Sequence, residues 1–440
     1  MKKKVLAALL ATAMVAGCLV GCGGKDGAAN TPATDGSAPA TDNAGSSDGG
    51  SASAPADYGS GTITIWVADN VVDFTKAQTD AFFAANPDMA GYTVDIQPVG
   101  EGEAAGNMIT DVEGGADIFG FAQDQITRLV SAGSLAPVVN DNANFVKSQN
   151  DAGAASAALV GDVLYAYPMT SDNGYFLYYD KSVVTDPSSL EKILSDCEAA
   201  GKNFYMEVNG GWYQPAFFFA TGCTLTYDTD SDGNFTACNI DYASDKGLVA
   251  LKKMIEVASS PAFQNGSSVD NGTNIGAIVD GTWDSGAAQA AFGDNYACAK
   301  LPSFTGSDGK TYQMSGFGGF KLLGIKPQEN AGKLAVCHAL AQYLTSADVQ
   351  LARYQEVGWG PSNLTAQQDS AVQADEALSA LAEQLAYTIP QGNYPGDYWT
   401  KATALGDDVI STGALSASSS DDELMNALQQ FQDDCISYAQ

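Results

Sequence analysis

The sequence is poor in positive charge. It contains 20 lysines and arginines against 52 aspartates and glutamates, a formal net charge of −32, and its only arginines are Arg128 and Arg353. A surface of this sign repels nucleic acid and anionic lipid. Receptors for phosphates, carboxylates or acidic peptides favour bidentate arginine contacts, so the shortage of arginine also disfavours an anionic ligand.

Histidine and paired cysteine motifs are scarce as well. The single histidine, His338, lies in the apolar stretch 334–344, which predicts a structural role, and the eight cysteines form no CxxC motif. The sequence therefore predicts neither a zinc site nor a cofactor. Cys223 and Cys238 flank a segment with the pattern of strand, Asp-Gly turn and strand. A disulfide across this hairpin and a pair of free thiols both remain open.

The turn of this hairpin has a spacing of acids that imitates the start of a calcium loop. Asp228, Asp230 and Asp232 alternate before Gly233, but position twelve, where a calcium loop closes with glutamate, is Asn239. A solvated hairpin tip is the favoured interpretation and calcium is the alternative. We predict no metal.

Long apolar runs are rare too, and the one export-like run lies at the start of the chain. Three lysines precede the apolar residues 5–20, a run too short to span a membrane as a helix and typical of an export signal. Val-Ala-Gly-Cys18 and Leu-Val-Gly-Cys22 both resemble the lipobox of bacterial lipoproteins. We predict a signal peptide over 1–21 and a lipid on Cys22, with Cys18 or an unlipidated cleaved signal as alternatives.

Residues 22–57 are predicted to be the lipidated cysteine and a flexible tether. From residue 25 they are almost wholly Gly, Ala, Ser, Thr, Asp and Pro, which cannot bury enough apolar surface to offset the loss of backbone entropy. Such a chain reaches roughly 30 Å. Loss of residues 1–21 would change the net charge from −32 to −35, so a lipid rather than a basic patch must hold the protein at the outer face of the cell membrane.

From about residue 58 the sequence alternates between strand and helix patterns. The β-branched run 61–67 predicts a buried strand, and 71–86 has helical spacing. This alternation predicts an α/β fold with a mostly parallel sheet, whose ligands lie beyond the carboxyl ends of the strands. Further strands are predicted at 93–99, 116–121, 163–170, 174–179 and 276–281, with helices at 103–112, 124–132, 248–257, 333–344 and in most of the chain beyond 369.

Seven sequence motifs follow one another in a recognisable order. They are Ile63-Thr-Ile-Trp66, Gly115 to Asp124, Tyr167-Pro-Met-Thr170, Tyr178-Tyr-Asp-Lys181, Asp280-Gly-Thr-Trp283, Leu301-Pro-Ser-Phe304, and Ile389-Pro-Gln391 with Trp399. The ordered set resembles the sugar-binding receptors of ABC importers, and within them the maltose and maltodextrin-binding proteins. The resemblance implies a class II periplasmic-binding-protein-like fold, in which two hinge-linked α/β lobes close on a sugar. By analogy, the N-lobe would be 58–170 and 316–370, and the C-lobe 171–315 and 371–440.

A sugar ring offers apolar C–H faces and a rim of hydroxyls, so its site needs aromatic planes and buried polar groups. Trp283 follows a predicted strand at its exit into a loop, a position that suits a cleft better than a core. The resemblance implies that Trp283 and Trp399 stack on sugar, and that Trp212 and Tyr213 contact it. Packing in a core is the alternative for each.

Acidic side chains are the predicted acceptors of sugar hydroxyls. Asp124 follows the third strand, and its carboxylate can accept two hydroxyls in charge-assisted bonds. The alternatives are a helix N-cap or an i, i+4 partner for Arg128. The resemblance further implies contacts from Asp69 and Glu103.

Two positions depart from the family pattern. Asp172, followed by Asn173, occupies the hinge region where the family usually has glutamate, and Phe121 stands where relatives often have tryptophan. Both Asp172 and Phe121 are predicted sugar contacts by their places in the family pattern. The departure leaves the hinge contact open, and a phenylalanine at 121 would weaken stacking or indicate a different sugar.

These features predict a monomeric, non-enzymatic receptor that captures maltose or maltooligosaccharides and delivers them to the permease of an ABC transporter. A receptor of the same fold for another oligosaccharide or neutral solute is the first alternative. A cell-surface glycoside hydrolase is the more remote one, because it needs two carboxylates flanking one bond, and nothing in the sequence marks a nucleophile.

Overall fold

The computed structural model describes residues 58–230 and 234–439, so the predicted signal peptide, Cys22 and the tether lie outside the described residues. In these two ranges no helix is long and apolar enough to cross a membrane. The strands are β1 (Gly61–Val67), β2 (Tyr92–Pro98), β3 (Ile118–Ala122), β4 (Leu159–Val160), β5 (Val163–Leu164), β6 (Ala166–Asp180), β7 (Asn203–Tyr205), β8 (Leu225–Thr229), β9 (Phe235–Ile240), β10 (Phe263–Gln264), β11 (Ile275–Gly281), β12 (Tyr296–Ala299), β13 (Ser303–Thr305), β14 (Thr311–Gln313), β15 (Phe317–Ile325) and β16 (Ile389–Pro390). The α-helices are α1 (Val72–Ala85), α2 (Glu101–Thr110), α3 (Ile126–Ser131), α4 (Asn140–Gln149), α5 (Ala152–Ala157), α6 (Leu190–Ala200), α7 (Pro215–Ala220), α8 (Asp245–Ala258), α9 (Ser285–Phe292), α10 (Ala331–Leu344), α11 (Ala347–Val357), α12 (Ser370–Gln373), α13 (Glu376–Leu385), α14 (Gly396–Ile410) and α15 (Asp421–Ser437).

The main sheet has the strand order β10-β7-β11-β6-β15-β3-β1-β2. The strands β1, β2 and β3 pair in parallel at one end, and β7, β10 and β11 pair in parallel at the other. Between them, β6 and β15 pair antiparallel to each other and to their outer neighbours. The predicted mixture of helices and strands is confirmed, but parallel pairing is confined to the two ends of the sheet and to the short strand β16 on β15.

One long strand crosses the middle of this sheet. The sequence predicted two strands at 163–170 and 174–179, whereas β6 runs without interruption from Ala166 to Asp180. Its first part pairs with β15, and its last part pairs with β11 and β12. The register with β15 shifts at the polar residues that separate the predicted strands: Asn173 pairs with Gly319, whereas Ser171 and Asp172 have no partner on β15. The backbone N–H of Ser171 donates instead to the carbonyl of Gly360.

Two large hydrophobic clusters lie on either side of this crossing. One consists of residues within 63–169 and 322–359, and the other of residues within 175–317 and 394–435. The sequence of β1 explains its place in the first cluster. The buried Ile63 and Ile65 alternate with more exposed threonines, as a half-buried strand requires. The predicted lobe boundaries stay a prediction, and the division of the clusters supports them.

The hairpin of β8 and β9 decides between the two alternatives for Cys223 and Cys238 in favour of free thiols. Its register places Cys238 opposite Tyr227, whereas Cys223 precedes the first strand and contacts the Thr221 hydroxyl at 3.6 Å. Both thiols are free. At the tip, the carboxylate of Asp230 accepts a bond from the backbone of Asn234, and Asp232 lies outside the described residues.

His338 packs in α10 as the sequence predicted. Its Nδ1 atom is 2.9 Å from the hydroxyl of Tyr167, on the crossing strand β6. Burial lowers the pKa of the imidazole, so at neutral pH His338 is an uncharged structural side chain.

Candidate functional site

A cavity of about 760 Å³ lies at the edge where the parallel strands of both halves end. Its walls follow β1, β2 and β3 on one side and β7 and β11 on the other, and β6 and β15 contribute one residue each. Carboxyl ends of parallel strands leave backbone groups and loop side chains free for ligands. The lining residues are Ala68, Asp69, Asn70, Glu101, Gly102, Ala122, Asp124, Gln125, Asn173, Glu207, Gly210, Gly211, Trp212, Tyr213, Trp283, Asp284, Lys321, Trp359, Gln391, Trp399 and Thr403.

Most of the residues predicted to contact sugar converge on this cavity although they are far apart in sequence. The residues that line it are Asp69, Asp124, Trp212, Tyr213, Trp283 and Trp399. Their assignment as ligand contacts remains a prediction, and their common location supports it.

Aromatic rings form the wall that follows β7 and β11. The rings of Trp212 and Trp283 lie 5.9 Å apart at 43°, and Tyr213 meets Trp212 edge-on at 5.1 Å. The indole N–H of Trp212 donates to Gln391 Oε1 at 3.1 Å, which fixes the plane of that ring. Trp212 and Trp283 are only partly buried, so their faces offer flat apolar surface to the cavity.

A glycine makes room for the central ring of this wall. A Cβ atom at Gly281, the last residue of β11, would overlap the six-membered ring of Trp283. The indole therefore folds back over the strand end and stands in the cavity. A tryptophan two residues after a buried strand can reach this position only because residue 281 has no side chain.

The opposite wall carries a buried carboxylate. Asp124 is 1% exposed, Gln125 donates to its Oδ2, and within the described ranges Oδ1 has no hydrogen-bond partner. Burial raises the pKa of Asp124 to about 7. Arg128 donates to Gln125 Oε1 at 2.6 Å, so the guanidinium reaches Asp124 only through the amide.

Asp124 is neither a helix N-cap nor a direct ion-pair partner of Arg128. It lies in a 3-10 turn, and its side chain caps no helix; α3 begins at Ile126, after Gln125. A direct ion pair with Arg128 is absent among the described residues as well. An unpartnered oxygen on a cavity wall is instead suited to accept a bond from a ligand hydroxyl.

Three further residues of this wall were missed by the sequence analysis. Lys321, 6% exposed on β15, places its ammonium 3.7 Å from the ring centre of Trp359 and 4.0 Å from a carboxylate oxygen of Glu101. A lysine inside the apolar strand sequence of β15 is a signal that could have found the site, because buried lysines need a reason. Glu101 could be identified as a cavity residue only once the start of α2 at this residue was known.

Three predicted residues lie elsewhere. Phe121 is fully buried against Phe119, because side chains alternate along β3 and the next residue, Ala122, faces the cavity. Glu103 is exposed on α2 and does not line the cavity. These positions correct the expectation that both side chains lie in the cavity.

Asp172 is the third. Its carboxylate accepts bonds from the hydroxyl of Thr282 and the backbone N–H of Gly360. It is 2% exposed and does not line the cavity, whereas the neighbouring Asn173 does. In the crossing strand, Asp172 therefore links segments of the two halves instead of lining the cavity.

Comparisons with known proteins agree with this geometry. A galactooligosaccharide-binding protein of Bacillus subtilis (strain 168) is 26% identical over 311 residues, which is 66% of this chain and 70% of that protein. A structure with acarbose aligns with a TM-score of 0.75 and 27% identity, over 87% of this chain and 100% of that one. A maltodextrin-binding protein of L. casei BL23, without ligand, aligns with a TM-score of 0.71 and 24% identity, over 86% and 99%.

These likenesses confirm the predicted periplasmic-binding-protein-like fold. The description of the matching family is bacterial extracellular solute-binding protein, and its model covers residues 71–380. Members of this kind bind substrates and do not transform them, in agreement with the prediction of a receptor rather than an enzyme. The chain therefore belongs to the family of bacterial extracellular solute-binding proteins.

Proposed function

We propose that the protein captures a neutral oligosaccharide, of which an α-linked glucose chain is the favoured type, in the cavity between its two halves. The observation that carries the proposal is the pairing of an aromatic wall around Trp283 with a wall of unpartnered buried polar atoms around Asp124. Sugar rings present both surfaces at once, C–H faces for the indoles and hydroxyls for the carboxylates. A cavity of about 760 Å³ has room for several units.

The choice among oligosaccharides rests on relatives. The 27%-identical structure is with acarbose, and the sequence motifs resemble the maltodextrin-binding proteins. The relative in Bacillus subtilis is named for galactooligosaccharide, which favours that ligand as a second candidate. Because stacking is tolerant and hydroxyl contacts discriminate, the polar wall decides between them.

Delivery of the sugar to the permease of an ABC transporter is part of the same proposal, as is attachment to the outer face of the membrane by a lipid on Cys22. The family supports an extracellular location. The polar composition of residues 25–57 supports a tether that allows a monomeric receptor to reach its permease. Mass spectrometry of the N-terminal peptide of the exported protein tests the anchor, since an unmodified Cys22 would exclude it.

A panel of oligosaccharides tests the ligand. At a concentration 100 times its Kd, a ligand that binds only the folded state adds about 2.7 kcal/mol to the free energy of unfolding. We expect maltotriose and maltotetraose to raise the melting temperature by several degrees, and galactooligosaccharides to raise it less. A larger shift with galactooligosaccharides would select the second candidate. No shift with any oligosaccharide, together with a shift by a solute of another class, would contradict the proposal.

A further inference from the structure

Lys321 is a cation placed where the proposed ligand would lie. It stands on β15, in register with Ala122 of β3 and Thr170 of β6, and lines the cavity. Burial of an ammonium is costly unless charges and hydrogen bonds compensate for it. A lysine that only stabilised the fold would therefore be expected to have acceptors around its three N–H groups.

The surroundings of this ammonium lack such acceptors. Its neighbours are the ring of Trp359 at 3.7 Å, the ring of Trp283 at 5.2 Å, and Glu101 Oε2 at 4.0 Å. Among residues 58–230 and 234–439, Nζ donates no hydrogen bond, and Glu101 is the one carboxylate within 4.0 Å of it. By contrast, the buried Lys253 has carboxylate oxygens of Glu191 and Glu256 at 2.9 and 2.8 Å.

Two neighbours of Lys321 also lack hydrogen-bond partners in the described part of the chain. Glu101 Oε1 and the indole N–H of Trp359 are buried and have no hydrogen-bond partner among the described residues. All three residues line the same cavity. The corner formed by Lys321, Glu101 and Trp359 thus has an ammonium and an N–H to donate and a carboxylate oxygen to accept.

Only one kind of group satisfies both charges of this corner. A neutral hydroxyl can accept a bond from Lys321 while it donates its own proton to Glu101. A carboxylate would suit the ammonium but be repelled by Glu101, and a protonated amine would suit Glu101 but be repelled by Lys321. At about 4 Å such like-charge contacts are strongly unfavourable in a site shielded from water.

We propose that Lys321 and Glu101 are specificity-determining residues that together restrict this corner to an uncharged, hydroxyl-bearing sugar unit. The proposal rests on the proposed function, because it concerns a ligand of the same cavity. Rejection of charged units is a task that the aromatic wall cannot perform, since a flat indole face tolerates many sugars and even attracts cations. The specificity comes from two opposite charges: the ammonium of Lys321 excludes cationic units, and the carboxylate of Glu101 excludes anionic units.

The test uses a set of charged maltotriose analogues and the full chain. Each analogue carries one charged group, either an amino group or a carboxylate, at C6 of a single glucose unit. The set contains both groups at every one of the three units. Calorimetry gives the Kd of each analogue relative to neutral maltotriose. Lys321→Met keeps the length of the side chain and removes its charge, and Glu101→Gln does the same for the acid. Lys300→Met is the matched control: Lys300 also lies over an aromatic ring, that of Tyr387, but it does not line the cavity.

For the unit that occupies the corner, we expect Lys321→Met to improve binding of the amino analogue relative to maltotriose about tenfold. Glu101→Gln should improve the carboxylate analogue by a similar factor, and Lys300→Met should change neither ratio. Ratios within threefold of those of the unaltered protein at every unit would overturn the proposal. Lys321→Gln replaces the methionine variant if that variant does not fold. Failure of neutral maltotriose to bind the unaltered protein would instead refute the proposed ligand, and the analogues are then built on the oligosaccharide that the panel identifies.

Discussion

Trp283→Ala is expected to weaken binding of maltotetraose by about 30-fold to 100-fold, because it removes the central plane of the aromatic wall. Loss of a large buried contact at the centre of a binding site typically costs 2 kcal/mol or more. The ring contributes contact area, and it also borders Trp212 at 5.9 Å, so its loss frees the neighbouring ring to move. Isothermal titration calorimetry measures the effect.

Two controls separate stacking from general damage. Tyr387→Ala removes an aromatic ring that is 43% exposed and does not line the cavity, and it should leave the Kd unchanged. The double variant Trp212→Ala/Trp283→Ala should lose less affinity than the sum of the single losses, since residues in contact are not independent. A Kd for Trp283→Ala within threefold of the unaltered protein, with equal melting temperatures, would show that this ring is not a platform for sugar.

Asp124→Asn is expected to make the ligand-free protein more stable above neutral pH while it weakens ligand binding. The folded-state pKa is raised to about 7 from 3.8 because the carboxyl is buried. Such a group favours the folded state fully below its unfolded pKa, and this contribution is lost as the pH rises through about 7. A shift of about three pKa units corresponds to at most about 4 kcal/mol. We therefore expect the asparagine variant to melt several degrees higher at pH 8 and to depend less on pH between 5 and 8.

Asp117→Asn is a matched control with the opposite sign. Asp117 is also buried, but its carboxylate lies 2.8 Å from the ammonium of Lys333, and removal of its charge leaves that cation without its partner. This variant should therefore melt at a lower temperature at pH 8. Equal melting curves for Asp124→Asn and the unaltered protein at pH 5 and 8 would contradict the account of Asp124.

The same carboxyl should make ligand affinity depend on pH. Only the ionised form accepts two hydroxyls, so the competent fraction falls about tenfold for each pH unit below the pKa. The Kd of the unaltered protein for maltotetraose should rise as the pH falls from 8 to 6. In Asp124→Asn the Kd should be about tenfold higher at pH 8 and nearly constant over this range. A parallel pH dependence in both proteins would assign it to another group.

The sequence predicted the larger part of the fold because period and composition report which faces are buried. The β-branched run of β1 and the helical spacing of α1 and α10 agree with the structure to within two residues. The continuous strand β6 could not be read in this way, since Ser171, Asp172 and Asn173 interrupt its apolar pattern. Their hydrogen-bond partners are distant in sequence; Asp172, for example, accepts a bond from the Thr282 hydroxyl, and no local pattern reports such partners.

The sequence placed a site residue in the cavity most reliably when that residue lies close to the end of a buried strand. Trp283 and Asp124 each lie two residues after a buried strand and line the cavity. Glu103 was chosen over Glu101 by a shift of two residues in the start of α2, which turns a side chain by about 200° around a helix. The partners of Lys321 lie in α2 and beyond α11, and only the folded chain brings them together.

The most direct test of a sugar-binding cavity between the two halves is a calorimetric titration of the unaltered protein, Trp283→Ala and Asp124→Asn with maltotetraose at pH 8. We expect a saturable heat with one site in the unaltered protein, and a Kd at least tenfold higher in each variant. Saturable binding that both variants leave unchanged would place the ligand outside this cavity. Absence of binding to the unaltered protein, when other oligosaccharides also produce no heat, would contradict the proposed function itself.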